Sequence, residues 1–326
     1  MPKPHIYIHR AADWYGLYMN AENEAQLREF ADVSSGGTRA EPYTPDELIR
    51  ALDGVDGILS LNGIGATEIT TNILAAVGTV RGIAISHWWH TGHVTARAMW
   101  EAAGVTVIDA SDATTDAVVE WVLGAAIIGV RRLVEFDRRL KSGDRWAEPG
   151  RRDAGLLGES VVGLIGVGRV GRVAAERFNA FGATLIAYDP FLSDDAARVL
   201  SIRRVALDEL LATADVISLH MAVLDATRGM LGAREFARIK DGTIFINAAR
   251  SALLDTSALV AELRKNRFQV FLDVYDTEPL PLDDPLRTLP NAFLTPHIAG
   301  DTTGMFHRCA RIAIERLRDY FESNER

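Results

Sequence analysis

Val161-Val162-Gly163-Leu164-Ile165-Gly166-Val167-Gly168-Arg169-Val170-Gly171 decides the fold of this 326-residue chain. An apolar strand runs into Gly166-x-Gly168-x-x-Gly171, and the helix-forming run Arg172–Phe181 follows. A second apolar segment, Ala183–Tyr188, then ends at Asp189. Strand, glycine turn, helix and second strand ending in an acid together read as a dinucleotide-binding βαβ unit. The three glycines allow a tight turn, close approach of a pyrophosphate, and close packing of helix on strand. The helix N-terminus offers unpaired N–H groups and the positive end of its dipole to phosphates. Asp189 follows the last glycine at about the 20-residue distance expected of a ribose-binding acid.

Composition bounds the rest. Hydrophobic residues make up 48% of the chain and charged residues 24%. A large core can therefore form, and the length suits two domains. A net charge of −9 argues against nucleic acid or an anionic membrane as the main partner. The single cysteine, Cys309, cannot form an intrachain disulfide, which fits a reducing, cytoplasmic setting. Met1–His9 lacks the long apolar core of a signal peptide. No apolar run approaches the ~20 residues of a membrane span, Val118–Val130 being short and interrupted by Glu120.

Residues 4–108 alternate between strands (His5–His9, Gly57–Leu61, Val80–Ser86, Val105–Ile108) and helices (Glu22–Asp32, Pro45–Leu52, Thr67–Ala76, Val94–Ala103). Such alternation implies a parallel sheet. A long helix is expected from Thr115 to about Leu140, stopped by Ser142-Gly143. After the glycine turn, strands at Val216–Leu219, Thr243–Asn247, Gln269–Asp273 and Ala292–Thr295 complete a sheet of about six strands. Helices are expected at Leu207–Thr213, Ala233–Arg238 and Thr256–Arg264. A last helix carries Met305, Cys309, Ile312, Leu317 and Tyr320 on roughly one face, and is expected to return to the first domain. The fold class is α/β, with two Rossmann-like domains built on parallel sheets. A nucleotide domain, 111–296, is inserted into a discontinuous substrate domain, 1–110 plus 297–326. Two crossings between domains would make a hinge above a cleft.

Three further segments leave strand ends in the nucleotide domain. They are Ile246-Asn247-Ala248-Ala249-Arg250-Ser251, Leu272-Asp273-Val274-Tyr275-Asp276-Thr277-Glu278-Pro279, and Leu294-Thr295-Pro296-His297-Ile298-Ala299-Gly300. In an open α/β sheet ligands bind beyond the carboxyl ends of the strands. Taken singly, such an arginine is usually a solvated charge, Glu-Pro a turn, and Pro-His a capped loop. Together, beside a dinucleotide motif, Arg250, Glu278 and His297 suit oxidation of a hydroxy acid or reduction of a keto acid. Arg250 can grip a carboxylate and a carbonyl oxygen with its planar fork. His297 can give a proton to the forming alkoxide and take it back. Glu278 beside it would favour imidazolium and hold the ring.

These residues resemble the D-isomer-specific 2-hydroxyacid dehydrogenase family, most strongly from about 110 to 304. The resemblance covers Val161–Asp189, Ser218-Leu219-His220 with Thr227-Arg228-Gly229, Asn247–Arg250, Leu272–Pro279, Thr295–Gly300 and Asp109–Glu120. It implies a catalytic trio of Arg250, Glu278 and His297. It also implies cofactor contacts at Arg169, Val170, Asp189, Thr227, Ala248 and Asp273, the last on the nicotinamide carboxamide. His220 and Gly300 lie inside matched motifs and are counted with them, as are Gly166, Gly168 and Gly171. An acid at 189 suits the free 2′-hydroxyl of NAD and would repel a 2′-phosphate. The resemblance further implies a small 2-hydroxy or 2-keto acid substrate and a homodimer formed through the nucleotide domain.

Three departures stand out. Ser251 replaces the family's glycine after the arginine, and Ala222 replaces a proline after His220. In Ser86-His87-Trp88-Trp89-His90-Thr91-Gly92-His93, bulky rings stand where the family has a glycine-rich substrate loop. Ser86, His87, Trp88 and Trp89 are therefore candidate substrate residues, with His90 and His93 beside them, and the substrate is expected to carry a larger or less polar tail than lactate. The histidine spacing lacks a cysteine or paired acid, so no metal is expected. The competing function is an NADH-sensing, dehydrogenase-like binding protein of the corepressor type, without significant turnover. A formate dehydrogenase is disfavoured, because that relative lacks the acid partner supplied here by Glu278.

Overall fold

Local chemistry sets the element boundaries. Thr44-Pro45-Asp46-Glu47 starts a helix with a reciprocal cap: the Thr44 hydroxyl accepts the Glu47 N–H, and the Glu47 carboxylate accepts the Thr44 N–H at 2.9 Å. The computed structural model describes residues 2–87, 92–143, 146 and 154–324. Its first strands are β1 (His5–Ile8), β2 (Asp32–Ser35), β3 (Gly57–Ser60), β4 (Gly82–Ile85) and β5 (Thr106–Asp109). Between them lie α1 (Tyr15–Tyr18), α2 (Ala21–Phe30), α3 (Pro45–Ala51), α4 (Thr71–Val77) and α5 (Gly92–Ala102). Next come α6 (Thr115–Val130) and α7 (Leu133–Lys141). Strands β6 (Val161–Ile165), β7 (Thr184–Tyr188), β8 (Ile202–Arg204), β9 (Val216–Leu219), β10 (Ile244–Asn247), β11 (Gln269–Leu272) and β12 (Ala292–Leu294) follow. They are joined through α8 (Arg169–Ala180), α9 (Asp194–Val199), α10 (Leu207–Thr213), α11 (Ala233–Arg238) and α12 (Thr256–Leu263), and α13 (Met305–Asn324) is the last described element.

The chain divides into two compact units. One runs to Thr114 and resumes at Thr303; the other is Thr115–Thr302. The sequence places these divisions at 110/111 and 296/297. Every named strand pair is parallel. The first unit's sheet has the order β2-β1-β3-β4-β5, and the second's is β12-β11-β10-β9-β6-β7-β8. Both are doubly wound, so two α/β domains with Rossmann-like parallel sheets are present, as expected. The order in which strands are added across the sheet reverses between β1 and β3 in one sheet and between β6 and β9 in the other, and ligands bind at such switch points.

Strands covered on both faces need continuous apolar runs. β3, β4, β9 and β10 are buried at every residue. In the first unit α13 lays Met305, Cys309, Ile314, Leu317 and Phe321 against Ile6, Ile8 and Leu59. Trp100 is wholly buried on the other face, its indole N–H donating to the Ile69 carbonyl at 2.9 Å. Burying each side chain of Val, Leu, Ile or Phe size contributes about 1.5–3 kcal/mol.

Three expectations need correction. The sheets hold five and seven strands rather than four and six, because β2 and β8 were missed. Both are short edge strands, reading Asp-Val-Ser-Ser and Ile-Arg-Arg, so pairing and not pattern makes them strands. The expected helix from Thr115 to Leu140 breaks at Arg132, which adopts a left-handed φ of 52°. The apolar spacing runs on through the break and gives no sign of it. Finally, Ser111–Val130 is a 20-residue helical stretch apolar enough, by length and composition, to cross a membrane. In its own unit α6 is a core helix that buries Val119, Val122, Ala125 and Ala126.

Candidate functional site

At the second unit's switch point the glycine turn has the geometry its spacing predicts. Gly166 sits at φ 93°, and a side chain there would strike Met221 and the His220 backbone. A Cβ on Gly171 would lie 2.4 Å from the Gly166 carbonyl oxygen, so only glycine lets α8 pack this closely on β6. A Cβ on Gly168 would meet nothing within 4 Å. That open space lies at the α8 N-terminus, where a pyrophosphate approaches. Arg169 is exposed and Val170 half-buried in the first turn of α8. The Asp189 carboxylate accepts N–H bonds from Val167 at 2.7 Å and from Phe191 at 2.8 Å, which ties the acid to the turn. Across the switch point, His220 follows β9. Its Nε2 is buried without a hydrogen-bond partner, and burial pushes the imidazole down to about 4, leaving it neutral. A turn that admits only glycine at 166 and 171, with open space at Gly168 and an orphaned buried nitrogen beside it, fits a bound dinucleotide. Thr227 turns inward instead: its hydroxyl donates to the Ala222 carbonyl at 2.7 Å and accepts the Leu224 N–H at 2.8 Å. Ala248 and Gly300 are half-buried.

The three titratable segments leave β10, β11 and β12 at the same carboxyl edge as the turn after β6. Glu278 and His297 meet, with Oε2 to Nδ1 at 2.8 Å. The second Glu278 oxygen accepts the Tyr275 N–H at 3.0 Å. Partial burial pushes the Glu278 carboxyl upward, but these two bonds and the charges of His297 and Arg250 outweigh it. The net effect holds the group below the usual carboxylate range. Arg250 is exposed, with Nη1 donating to the Ala249 carbonyl at 2.6 Å, and its charge reaches Glu278. His297 has a left-handed φ of 54°, a region that histidine tolerates better than most side chains.

The buried carboxylate of Asp273 secures that conformation. It accepts the Thr295 hydroxyl at 2.5 Å and the N–H groups of Ile298 and Ala299, each at 2.8 Å, and so pins the chain on both sides of His297. Sequence reasoning missed this brace and also Tyr275, whose hydroxyl donates to the carbonyls of Leu272 and Thr295. The signal was present in Asp-Val-Tyr and Thr-Pro-His, where polar side chains interrupt strand ends. The Ser251 departure is absorbed easily: the residue opens a short 3₁₀ turn and keeps a negative φ.

In the first unit, the β4 end carries the candidate substrate residues. Ser86 is buried, its hydroxyl donating to the Leu61 carbonyl at 2.5 Å. His87 is half-buried, with Nδ1 3.1 Å from the Tyr18 hydroxyl. His93 is buried with Nε2 2.8 Å from the Ser60 hydroxyl, and burial pushes it down to about 4. Trp88, Trp89 and His90 lie outside the described residues. Among the described residues no group of three metal-ligating side chains converges.

Residues 123–299, more than half of the chain, match the family model for the D-isomer specific 2-hydroxyacid dehydrogenase NAD binding domain. The chain belongs to that family. A D-3-phosphoglycerate dehydrogenase of Archaeoglobus fulgidus is 36% identical over 61% of this chain and 38% of its own length. A hydroxypyruvate reductase of Thermotoga maritima is 30% identical over 85% of this chain and 89% of its own. The chain spans about half or less of the phosphoglycerate dehydrogenases that it matches. Among solved structures, D-lactate dehydrogenase with NAD+ from Lactobacillus jensenii superposes with a TM-score of 0.74 at 25% identity, covering 97% of this chain and 96% of that one. The nucleotide unit is thus an NAD-binding domain.

Proposed function

We propose that the protein is an NAD(H)-dependent oxidoreductase that interconverts a small 2-oxo acid and the corresponding 2-hydroxy acid. The carrying observation is the Glu278–His297 hydrogen bond on the sheet edge that also bears the glycine turn. Arg250 holds the substrate carboxylate and polarises the carbonyl oxygen, which makes the carbonyl carbon electron-poor. His297 carries a proton on Nε2 and donates it to that oxygen as it gains charge; in oxidation the ring takes the proton back. Glu278 holds Nδ1, fixes the ring and favours imidazolium. Asp273, through its three bonds, keeps the His297 backbone in place. Gly166, Gly168, Gly171, Arg169 and Val170 would hold the cofactor pyrophosphate, and Asp189 the adenosine ribose. NAD(H), when bound, supplies or accepts the hydride. The Asp189 charge disfavours a 2′-phosphate and so selects NAD over NADP.

The test is NADH consumption at catalytic protein concentration with a panel of 2-oxo acids. Turnover is expected with at least one, and NADPH should serve poorly. Tight NADH binding without turnover on any acid would support the sensing protein instead.

A further inference from the structure

The Glu278–His297 pair lies open to water, each side chain being more than a third exposed. An ion pair between such groups is weak unless both partners are held in place. The segment that carries Glu278 has little packing to hold it. Asp276, Thr277, Glu278 and Pro279 are exposed, and a cavity of about 60 Å³ borders Asp276, Thr277 and Leu280. Tyr275 supplies the missing attachment. Its N–H donates to Glu278 Oε1 at 3.0 Å. Its hydroxyl reaches from the exit of β11 to the exit of β12, donating to the Leu272 carbonyl at 3.0 Å and the Thr295 carbonyl at 2.8 Å. The Thr295 carbonyl also accepts the His297 N–H at 3.0 Å. One residue thus holds a carboxylate oxygen of Glu278 and shares an acceptor with the His297 backbone. Burial, reinforced by the Asp273 charge, pushes the phenol upward, so the hydroxyl keeps its proton and remains a donor. The ring packs on the apolar cluster that contains Leu254, Leu272 and Leu286, which fixes the hydroxyl between the two strand exits.

We propose that Tyr275 is a positioning residue for the acid/base step: through its N–H and its hydroxyl it sets the distance and angle between Glu278 and His297. Asp273 fixes the backbone on either side of His297, and Tyr275 joins that backbone to the acid. Without the hydroxyl, the Thr295 carbonyl keeps the His297 N–H, but the exposed segment that bears Glu278 loses its tie to it. The carboxylate then drifts from Nδ1, and the ring no longer presents its proton in one direction. This role rests on the oxo-acid chemistry proposed above, and the test separates the two.

The experiment compares wild type, Tyr275→Phe, Glu278→Gln and the double variant with NADH and one accepted 2-oxo acid. Phenylalanine keeps the ring on its apolar neighbours, so the fold is retained. Tyr275→Phe should lower kcat by about 10-fold or more, since a small misplacement of an acting group is costly. KM for the oxo acid and Kd for NADH should stay within about 2-fold, because the lost interaction is one that serves the transition state. In the Glu278→Gln background the same change should cost about 3-fold or less, because both changes damage one pair. Equal losses in the two backgrounds, or an unchanged kcat in Tyr275→Phe, would overturn the proposal. A crystal structure of Tyr275→Phe reads the geometry without turnover: the Glu278–His297 separation should exceed about 3.5 Å, beyond hydrogen-bond reach. A pair still at 2.8 Å would overturn the proposal as well. Absence of wild-type turnover on every oxo acid would overturn the reaction instead, with the crystal structure still deciding the role of Tyr275.

Discussion

His297 and Glu278 share one hydrogen bond, Nδ1 to Oε2 at 2.8 Å, so the charge of the carboxylate bears directly on the ring. Glu278 titrates below the usual carboxylate range, so its negative charge persists well into mild acid and favours a proton on His297. Reduction of an oxo acid needs that proton. Glu278→Gln keeps the shape and removes the charge, so the pH at which reduction activity falls should move to lower pH, by about one unit for a single close charge. The measurement is kcat/KM against pH for both proteins with one oxo acid. An unshifted profile would mean that Glu278 does not govern the acid/base group. Asp273 shows what a residue-by-residue reading misses. The resemblance gives it a cofactor contact, while the structure also fills both its oxygens with bonds that shape the His297 loop.

Among the elements, the β6-turn-α8 unit carries its geometry openly in sequence, because Gly166 and Gly171 each answer a steric demand. Gly171→Ala tests the tightest of these. The new methyl group would sit 2.4 Å from the Gly166 carbonyl oxygen, so α8 must retreat from β6. Overpacking of this kind costs about 1–3 kcal/mol, and it displaces the N–H groups offered to the pyrophosphate. A fluorescence titration should show NADH affinity lowered by about 10-fold or more, whereas wild-type affinity would refute so tight a contact. Edge strands were illegible for the opposite reason. Asp32–Ser35 and Ile202–Arg204 carry little apolar pattern and exist as strands because a neighbour offers a free row of hydrogen bonds. The kink at Arg132 was illegible too, since Leu123, Ile127, Val130 and Val134 keep helical spacing across it.

Across the whole molecule, both parallel sheets and the NAD-binding family were readable because they follow from local patterns: alternating strands and helices, a glycine turn, and polar residues at strand ends. The ring contacts of Phe306 with Trp14, Tyr18 and His87 were not, because Phe306 lies more than 200 residues from the other three in sequence and only the return of α13 brings it to them. The most direct measurement follows deuterium from NADH labelled at nicotinamide C4 during turnover with an accepted 2-oxo acid. The account predicts a 2-hydroxy acid with the label on C2, one mass unit heavier than product from unlabelled NADH. Cofactor oxidation that leaves no deuterium on that carbon, with either face of the nicotinamide labelled, would contradict it.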